Sequence, residues 1–182
     1  MHSLSVLLLS MLVNGTPPPV TAARLSTPLD KTEVRAMMMS DRRHLRAVDK
    51  RVSDAIADGL GRSATFASLV IALDRSDVIV YIETSRTMPS SLAGRMLIAA
   101  GPANQRYLRI QLAAAPRGNE LISLIGHELQ HALEVAASPG VRDEQSLIAL
   151  YRAIGHGPRG QHKYDTIAAQ NAGKQVRTEL MG

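Results

Sequence analysis

Asn119-Glu120-Leu121-Ile122-Ser123-Leu124-Ile125-Gly126-His127-Glu128-Leu129-Gln130-His131-Ala132-Leu133-Glu134-Val135-Ala136-Ala137 is the stretch from which the rest of the chain is read. Leu121, Leu124, Ile125, Leu129, Ala132, Leu133 and Ala136 recur at three- and four-residue steps, which predicts a half-buried helix. Asn119 is suited to cap its start, and Ser138-Pro139-Gly140 ends it. His127 and His131 stand four apart, one turn above each other on a single face, so both imidazoles can reach one metal ion. Glu128 is rotated slightly off that face. Its carboxylate is poorly placed to join the two His as a ligand and well placed to take a proton from a water on the metal. The competing reading of the same residues is an amphipathic helix whose two His are solvated or packed.

The segment Leu124-Ile125-Gly126-His127-Glu128-Leu129-Gln130-His131-Ala132-Leu133-Glu134 resembles the active-site helix of the zincin metallopeptidases. The resemblance covers about a dozen residues and implies Zn2+ as cofactor, a peptide or protein substrate, and hydrolysis of peptide bonds. It also implies a fold in which a backing helix and a small twisted sheet precede the active-site helix, and a later helix supplies the third ligand. The metzincin branch would continue with glycine at position 134 and histidine at position 137. Glu134 and Ala137 stand there, which excludes that branch and leaves the gluzincin and aspzincin patterns, whose third ligand is a downstream carboxylate.

Asp165 is the first choice for that ligand, because it opens a C-terminal helical segment, Asp165-Thr166-Ile167-Ala168-Ala169, able to pack beside the helix of the two His. An acid at that place is equally suited to cap the segment. His156 and His162 compete from the Gly- and Pro-rich stretch 155–162, which reads as a loop. Glu144 competes more weakly, since Asp143-Glu144 begins a helix through Leu147, Ile148 and Tyr151. Glu134 lies one turn past His131 on the same face and is expected to support the ligands or form an ion pair. Tyr151 and Tyr164 are the only phenols downstream and are the candidates to stabilise an oxyanion.

With 182 residues and 45% hydrophobic content, the chain fits one domain with one core. One Phe, four Tyr and no Trp make that core aliphatic. The absence of cysteine excludes disulfides, sulfur ligands and a thiol nucleophile. A metal must then use His and carboxylates, the ligand set of catalytic rather than structural sites.

Leu4 to Val13 is an apolar run too short to span a bilayer comfortably, followed by Asn14-Gly15-Thr16-Pro17-Pro18-Pro19 and the small residues Val20-Thr21-Ala22-Ala23. Residues 1–23 therefore read as a signal peptide and the protein as exported, secreted or periplasmic. A basic residue before the apolar run is missing, so an uncleaved membrane anchor is the alternative. No later segment is apolar enough to cross a membrane.

Residues 24–40 read as an extended lead-in, with the Met37-Met38-Met39 triplet as packing. Asp41 to Leu60 reads as one backing helix from Leu45, Val48, Val52, Ala55, Ile56 and Leu60. A shorter helix follows from Phe66, Leu69, Val70 and Leu73. Asp77 to Glu83, β-branched and apolar on both faces, predicts a central strand. Met96-Leu97-Ile98 and Leu108-Arg109-Ile110-Gln111-Leu112 predict a hairpin through Gly101-Pro102-Ala103-Asn104. In the second of these, Leu108, Ile110 and Leu112 alternate with Tyr107, Arg109 and Gln111. It is therefore placed at the sheet edge beside the cleft, where by the zincin resemblance a peptide would add as a further strand.

A net charge of +5 and a pI near 10.0 raise a nucleic-acid reading. The basic residues Arg42, Arg43, His44, Arg46, Lys50 and Arg51 would support it if carried close together on one helix. Asp41, Asp49, Asp54 and Asp58 interleave with them and stacking aromatics are missing, which favours a solvated face and disfavours nucleic acid. The expectation is an α+β domain at 41–182 with backing helices, a three- to four-stranded twisted sheet, the helix of the two His and a C-terminal helix. In it His127, His131 and Asp165 bind zinc and Glu128 activates water. The rival is a non-catalytic exported domain of the same fold that binds a partner, or a polyanion through its basic surface, with the His pair vestigial or metal-storing.

Overall fold

The computed structural model describes residues 25–41, 43–89, 91–102, 104–156 and 164–182. The expected signal peptide, together with Arg42, Ala103 and His162, lies outside them. Six helices and one four-stranded sheet follow in the order α1 (Lys31–Met39), β1 (Leu45–Ala47), α2 (Lys50–Arg62), α3 (Ala64–Asp74), β2 (Val78–Ser85), β3 (Gly94–Ala99), β4 (Arg106–Ala113), α4 (Gly118–Ala136), α5 (Glu144–Ile154) and α6 (Ile167–Glu179). The fold is α+β with a small mixed sheet.

The sheet order is β1-β2-β4-β3, parallel except for the antiparallel β3–β4 pair. Because side chains alternate along a strand, Leu45, Val80, Ile82, Leu108, Ile110 and Leu112 fall on one face and are buried in the main core. The other face carries Arg46, Tyr81, Glu83, Arg109, Gln111 and Arg95 in register. Helices α2, α3 and α4 cover the apolar face, and α6 packs chiefly on α4 and also touches α3. The core is aliphatic apart from Phe66 and Tyr151, in line with the scarcity of aromatics.

Several local expectations are corrected. The lead-in is not extended throughout: Asp30 and Glu33 form a reciprocal capping box, which satisfies two helix N–H donors and starts α1. Met37 and Met38 of the triplet pack on the core, while Met39 is exposed. The expected helix from Asp41 to Leu60 is a strand and a helix. Leu45–Ala47 pairs with Val80–Ile82, and Asp49 caps α2 through Val52 N at 3.0 Å while its other oxygen accepts from Thr84 N at 2.8 Å. The basic run is consequently spread over a loop, a strand and a helix. In it Arg46 donates to the Tyr81 hydroxyl, Lys50 pairs with Asp54 and Arg51 donates to Thr84. Arg117, not Asn119, is the N-cap of α4.

The hairpin forms, but its strands exchange roles. β4 is interior, so the alternation of Leu108, Ile110 and Leu112 reflects the open face of the sheet and not its edge. The edge is β3. Ala113 N donates to Ala93 O at 2.8 Å, and the alternation of antiparallel pairing then turns the backbone of Arg95, Leu97 and Ala99 toward β4 and that of Gly94, Met96 and Ile98 toward the open edge.

One polar contact fixes α4 to the sheet. Arg106, on the first residue of β4 and buried, donates Nε and Nη2 to the two oxygens of Asp77 at 2.8 and 2.6 Å. Its remaining protons go to the carbonyls of Val135, Ala136, Ser138 and Val141 at 2.7 to 3.4 Å. A guanidinium thus caps the C-terminus of α4, where a positive charge also meets the negative end of the helix dipole.

Candidate metal centre

α4 buries Leu121, Ile122, Ile125, Leu129, Ala132 and Leu133 and leaves the His face looking toward the start of α6. The two helices approach closely through a glycine on each. A Cβ on Gly126 would lie 2.9 Å from Val176 Cγ2, and one on Gly173 would lie 3.2 Å from both His127 Cβ and Ser123 O. That approach brings Asp165, just before α6, against the His pair: Oδ1 lies 3.5 Å from His127 Nε2 and 3.7 Å from His131 Nε2. The donor atoms of His127, His131 and Asp165 all fall within 4.8 Å of one another.

This group could hold a metal ion. Donors about 2.0–2.1 Å from a tetrahedral centre are about 3.3 Å apart, so the two Asp165 edges close with a contraction of a few tenths of an ångström, while the edge between the two imidazoles, which lies within 4.8 Å, closes by up to about 1.5 Å through rotation of the His rings. The donor chemistry, two imidazoles and a carboxylate, suits a divalent transition ion. Each donor is also held in place. Asp165 Oδ1 accepts from Thr166 N at 2.8 Å and Oδ2 from Gln170 Nε2 at 2.9 Å. His131 Nδ1 meets Glu134 Oε2 at 2.9 Å, and Glu134 Oε1 accepts from the Thr166 hydroxyl at 2.6 Å. A carboxylate at Nδ1 keeps the proton there and leaves the Nε2 lone pair free for a metal. Thr166 Oγ1 also accepts from Ala169 N and so caps α6. The residue that starts the helix is thereby the one that supports Glu134.

Glu128 is buried, and no other described group donates a hydrogen bond to its carboxylate. Burial pushes its carboxyl up to about 7; Asp165 adds to the rise and His131 opposes it. The carboxylate lies against the edge strand, where a Cβ on Gly94 would come within 2.3 Å of Oε1. Burial and then the neighbouring His131 lower the pKa of His127. For His131 burial pulls down, but the Glu134 hydrogen bond and the surrounding carboxylates outweigh it and the net shift is upward.

Of the other sequence candidates, His156, Glu144 and Tyr164 lie apart from this cluster, Tyr151 packs against it, and His162 falls outside the described residues. His156 is exposed and meets Asp165 only through its backbone N–H, which donates to Asp165 O at 2.7 Å. Glu144 is exposed in the first turn of α5, and Tyr164 is exposed. Tyr151 packs edge-on against His131, with ring centroids 5.2 Å apart, and donates its hydroxyl to His131 O at 3.1 Å. Burial raises its pKa far above the ordinary phenol value. Thr166, Gln170 and Gly94 were not singled out from the sequence. Of these only Thr166, a hydroxyl ahead of an apolar run, carries a readable signal, that of an N-cap.

No family model, curated protein or solved structure matches this chain.

Proposed function

We propose that this chain is a small exported zinc-dependent peptidase of zincin type, gluzincin- or aspzincin-like in its ligand set, acting on a peptide or protein substrate. The observation that carries the reading is the meeting of His127 Nε2, His131 Nε2 and Asp165 Oδ1 beside a buried, otherwise unbonded Glu128 carboxylate. Zinc bound by those three donors would supply a Lewis acid for a peptide carbonyl and acidify a water near neutral pH.

The chain's own groups do the rest. Glu128, whose carboxyl pKa is raised by burial, takes a proton from water and returns it to the leaving amine. Beside a dication it ionises more readily. Glu134 holds the His131 ring, and Gln170 holds Asp165. The open backbone of Gly94, Met96 and Ile98 gives a peptide a strand to pair with, directly beside Glu128. Export rests on the apolar segment and small-residue site within residues 1–23.

The test is elemental analysis with a hydrolysis assay on purified protein. About one zinc per chain is expected, lost in His131→Ala and kept in Glu128→Gln, with peptide hydrolysis abolished in both. Hydrolysis at the wild-type rate in Glu128→Gln would refute the mechanism. Wild-type protein that resists zinc loading would favour the metal-free binding domain instead.

A further inference from the structure

We propose that the site selects peptides with an acidic side chain next to the cleaved bond, and that Arg95 is the residue that selects them; this rests on the peptidase reading above. The register follows from two observations. Glu128 lies against Gly94, so a peptide paired with β3 presents the bond to be cut opposite Gly94. Arg95 is the next residue along β3, and successive side chains of paired strands alternate together between the two faces. The peptide residue one step from that opposite Gly94 therefore projects on the open face of the sheet, beside the Arg95 guanidinium.

The guanidinium is exposed and lacks a counter-charge. Its Nε and Nη2 both donate to the neutral Gln111 Oε1, at 2.9 and 2.6 Å, and among the described residues it meets no carboxylate. Glu83, the one acid of that face among the described residues, is already engaged, accepting from Gln111 Nε2 at 2.6 Å with Arg109 Nε at 3.5 Å. Arg46 on the same face pairs with the Tyr81 hydroxyl and, among the described residues, again with no acid. A bidentate donor beside an added strand is suited to a carboxylate, and the net charge of +5 draws acidic peptides to the surface at long range.

The experiment uses the zinc-loaded full chain. Wild-type protein digests a mixed peptide library, with mass spectrometry reading the residues beside each cleaved bond. In parallel, Glu128→Gln protein is titrated with fluorescent peptides that differ only by glutamate or lysine at one such position. Aspartate and glutamate should be enriched on one side of the cut, and glutamate should bind about threefold to tenfold more tightly than lysine, the range for an exposed cross-strand charge pair. Added salt should shrink the ratio, Arg95→Gln should bring it to about one, and Arg95→Glu should invert it. Cleavage without acidic enrichment, or a ratio unchanged in Arg95→Gln, overturns the assignment to Arg95 while leaving the peptidase reading standing. Absence of any cleavage refutes the peptidase reading and this inference with it.

Discussion

Replacing Thr166 by Val keeps the shape of the side chain and removes the one hydroxyl that serves both α6 and the candidate metal ligands. That hydroxyl accepts from Ala169 N at 3.1 Å and donates to Glu134 Oε1 at 2.6 Å, and Glu134 in turn holds His131 Nδ1. Loss of an N-cap costs about 1 kcal/mol, and loss of a hydrogen bond to a charged group about 1.5–3 kcal/mol. Thr166 and Glu134 are largely shielded from water, so solvent replaces neither bond in full. The expected loss of stability is about 2–4 kcal/mol, or about 5–15 °C in melting temperature for a chain of this length. The same substitution frees the Glu134 carboxylate to rotate, and loosening the support of a metal ligand weakens metal binding about 10- to 100-fold. Urea unfolding of chelator-treated protein reads the first number, and competition with a chromophoric chelator reads the second. Thr166→Ser, which keeps the hydroxyl, should match wild type in both. A Thr166→Val protein that loses only about 1 kcal/mol, the value of a cap alone, and binds zinc as tightly as wild type would refute the coupling of α6 to His131 through Glu134.

Two other perturbations follow from the packing around the site. Arg106→Met takes the partner from Asp77, whose side chain is 40% exposed, and uncaps the carbonyls of Val135 and Ala136 at the end of α4 and of Ser138 and Val141 beyond it, at an expected cost of about 1–3 kcal/mol at neutral pH. The Arg106 hydrogen bond holds the Asp77 carboxyl below its ordinary value, so the stability from that pair is present above about pH 4 and is lost as pH falls through the lowered folded value. The gap between wild type and variant in urea midpoint should therefore narrow below pH 4; a constant gap would show that the pair contributes nothing. Gly94→Ala puts a methyl group 2.3 Å from Glu128 Oε1, so the carboxylate must move. A displacement of about 1 Å at a catalytic group costs up to about 100-fold, and kcat/KM should fall at least tenfold with zinc content unchanged; an unchanged kcat/KM would refute the placement of Glu128 against the edge strand.

The helix of the two His was legible because burial and chemistry share one period there: the spacing that sends Leu121, Ile125, Leu129 and Leu133 to the core also puts His127 and His131 on a common line. The strand over Val78–Ser85 was legible for the same kind of reason, being apolar on both faces and paired on both sides. β1 was hidden because Leu45 and Val48 happen to fall in step with Val52, Ala55 and Ile56, so the helical pattern of α2 extended backward through a strand and a turn. Asp49 is the residue that breaks that illusion, since its side chain caps α2. At β4 the alternation correctly gave one buried face, but a row of polar side chains on the open face of a sheet looks the same in sequence as one on a sheet edge. Only the pairing of β3 outside β4 tells them apart.

By local sequence Asp165 and Glu144 are each an acid at the start of a helix, with Glu144 the weaker candidate, and spacing from His131 alone does not choose between them. The choice is made by which helix lies beside α4. Gly126 and Gly173 each cost about 1 kcal/mol relative to alanine inside a helix, and that cost is offset only if something must pass close by; here it is the other helix. The far end of α6 is fixed as well, by Glu179, whose carboxylate accepts from Ser63 Oγ, Thr65 N and Thr65 Oγ1 at 2.5 to 3.0 Å. With α6 held at its middle by two glycines, at its end by Glu179 and at its start by Thr166, the residue preceding the cap has one place to go, against the two imidazoles. A pair of glycines in two otherwise regular helices is therefore the signal that favours Asp165 over Glu144, and its meaning depends on a contact between segments far apart in the chain.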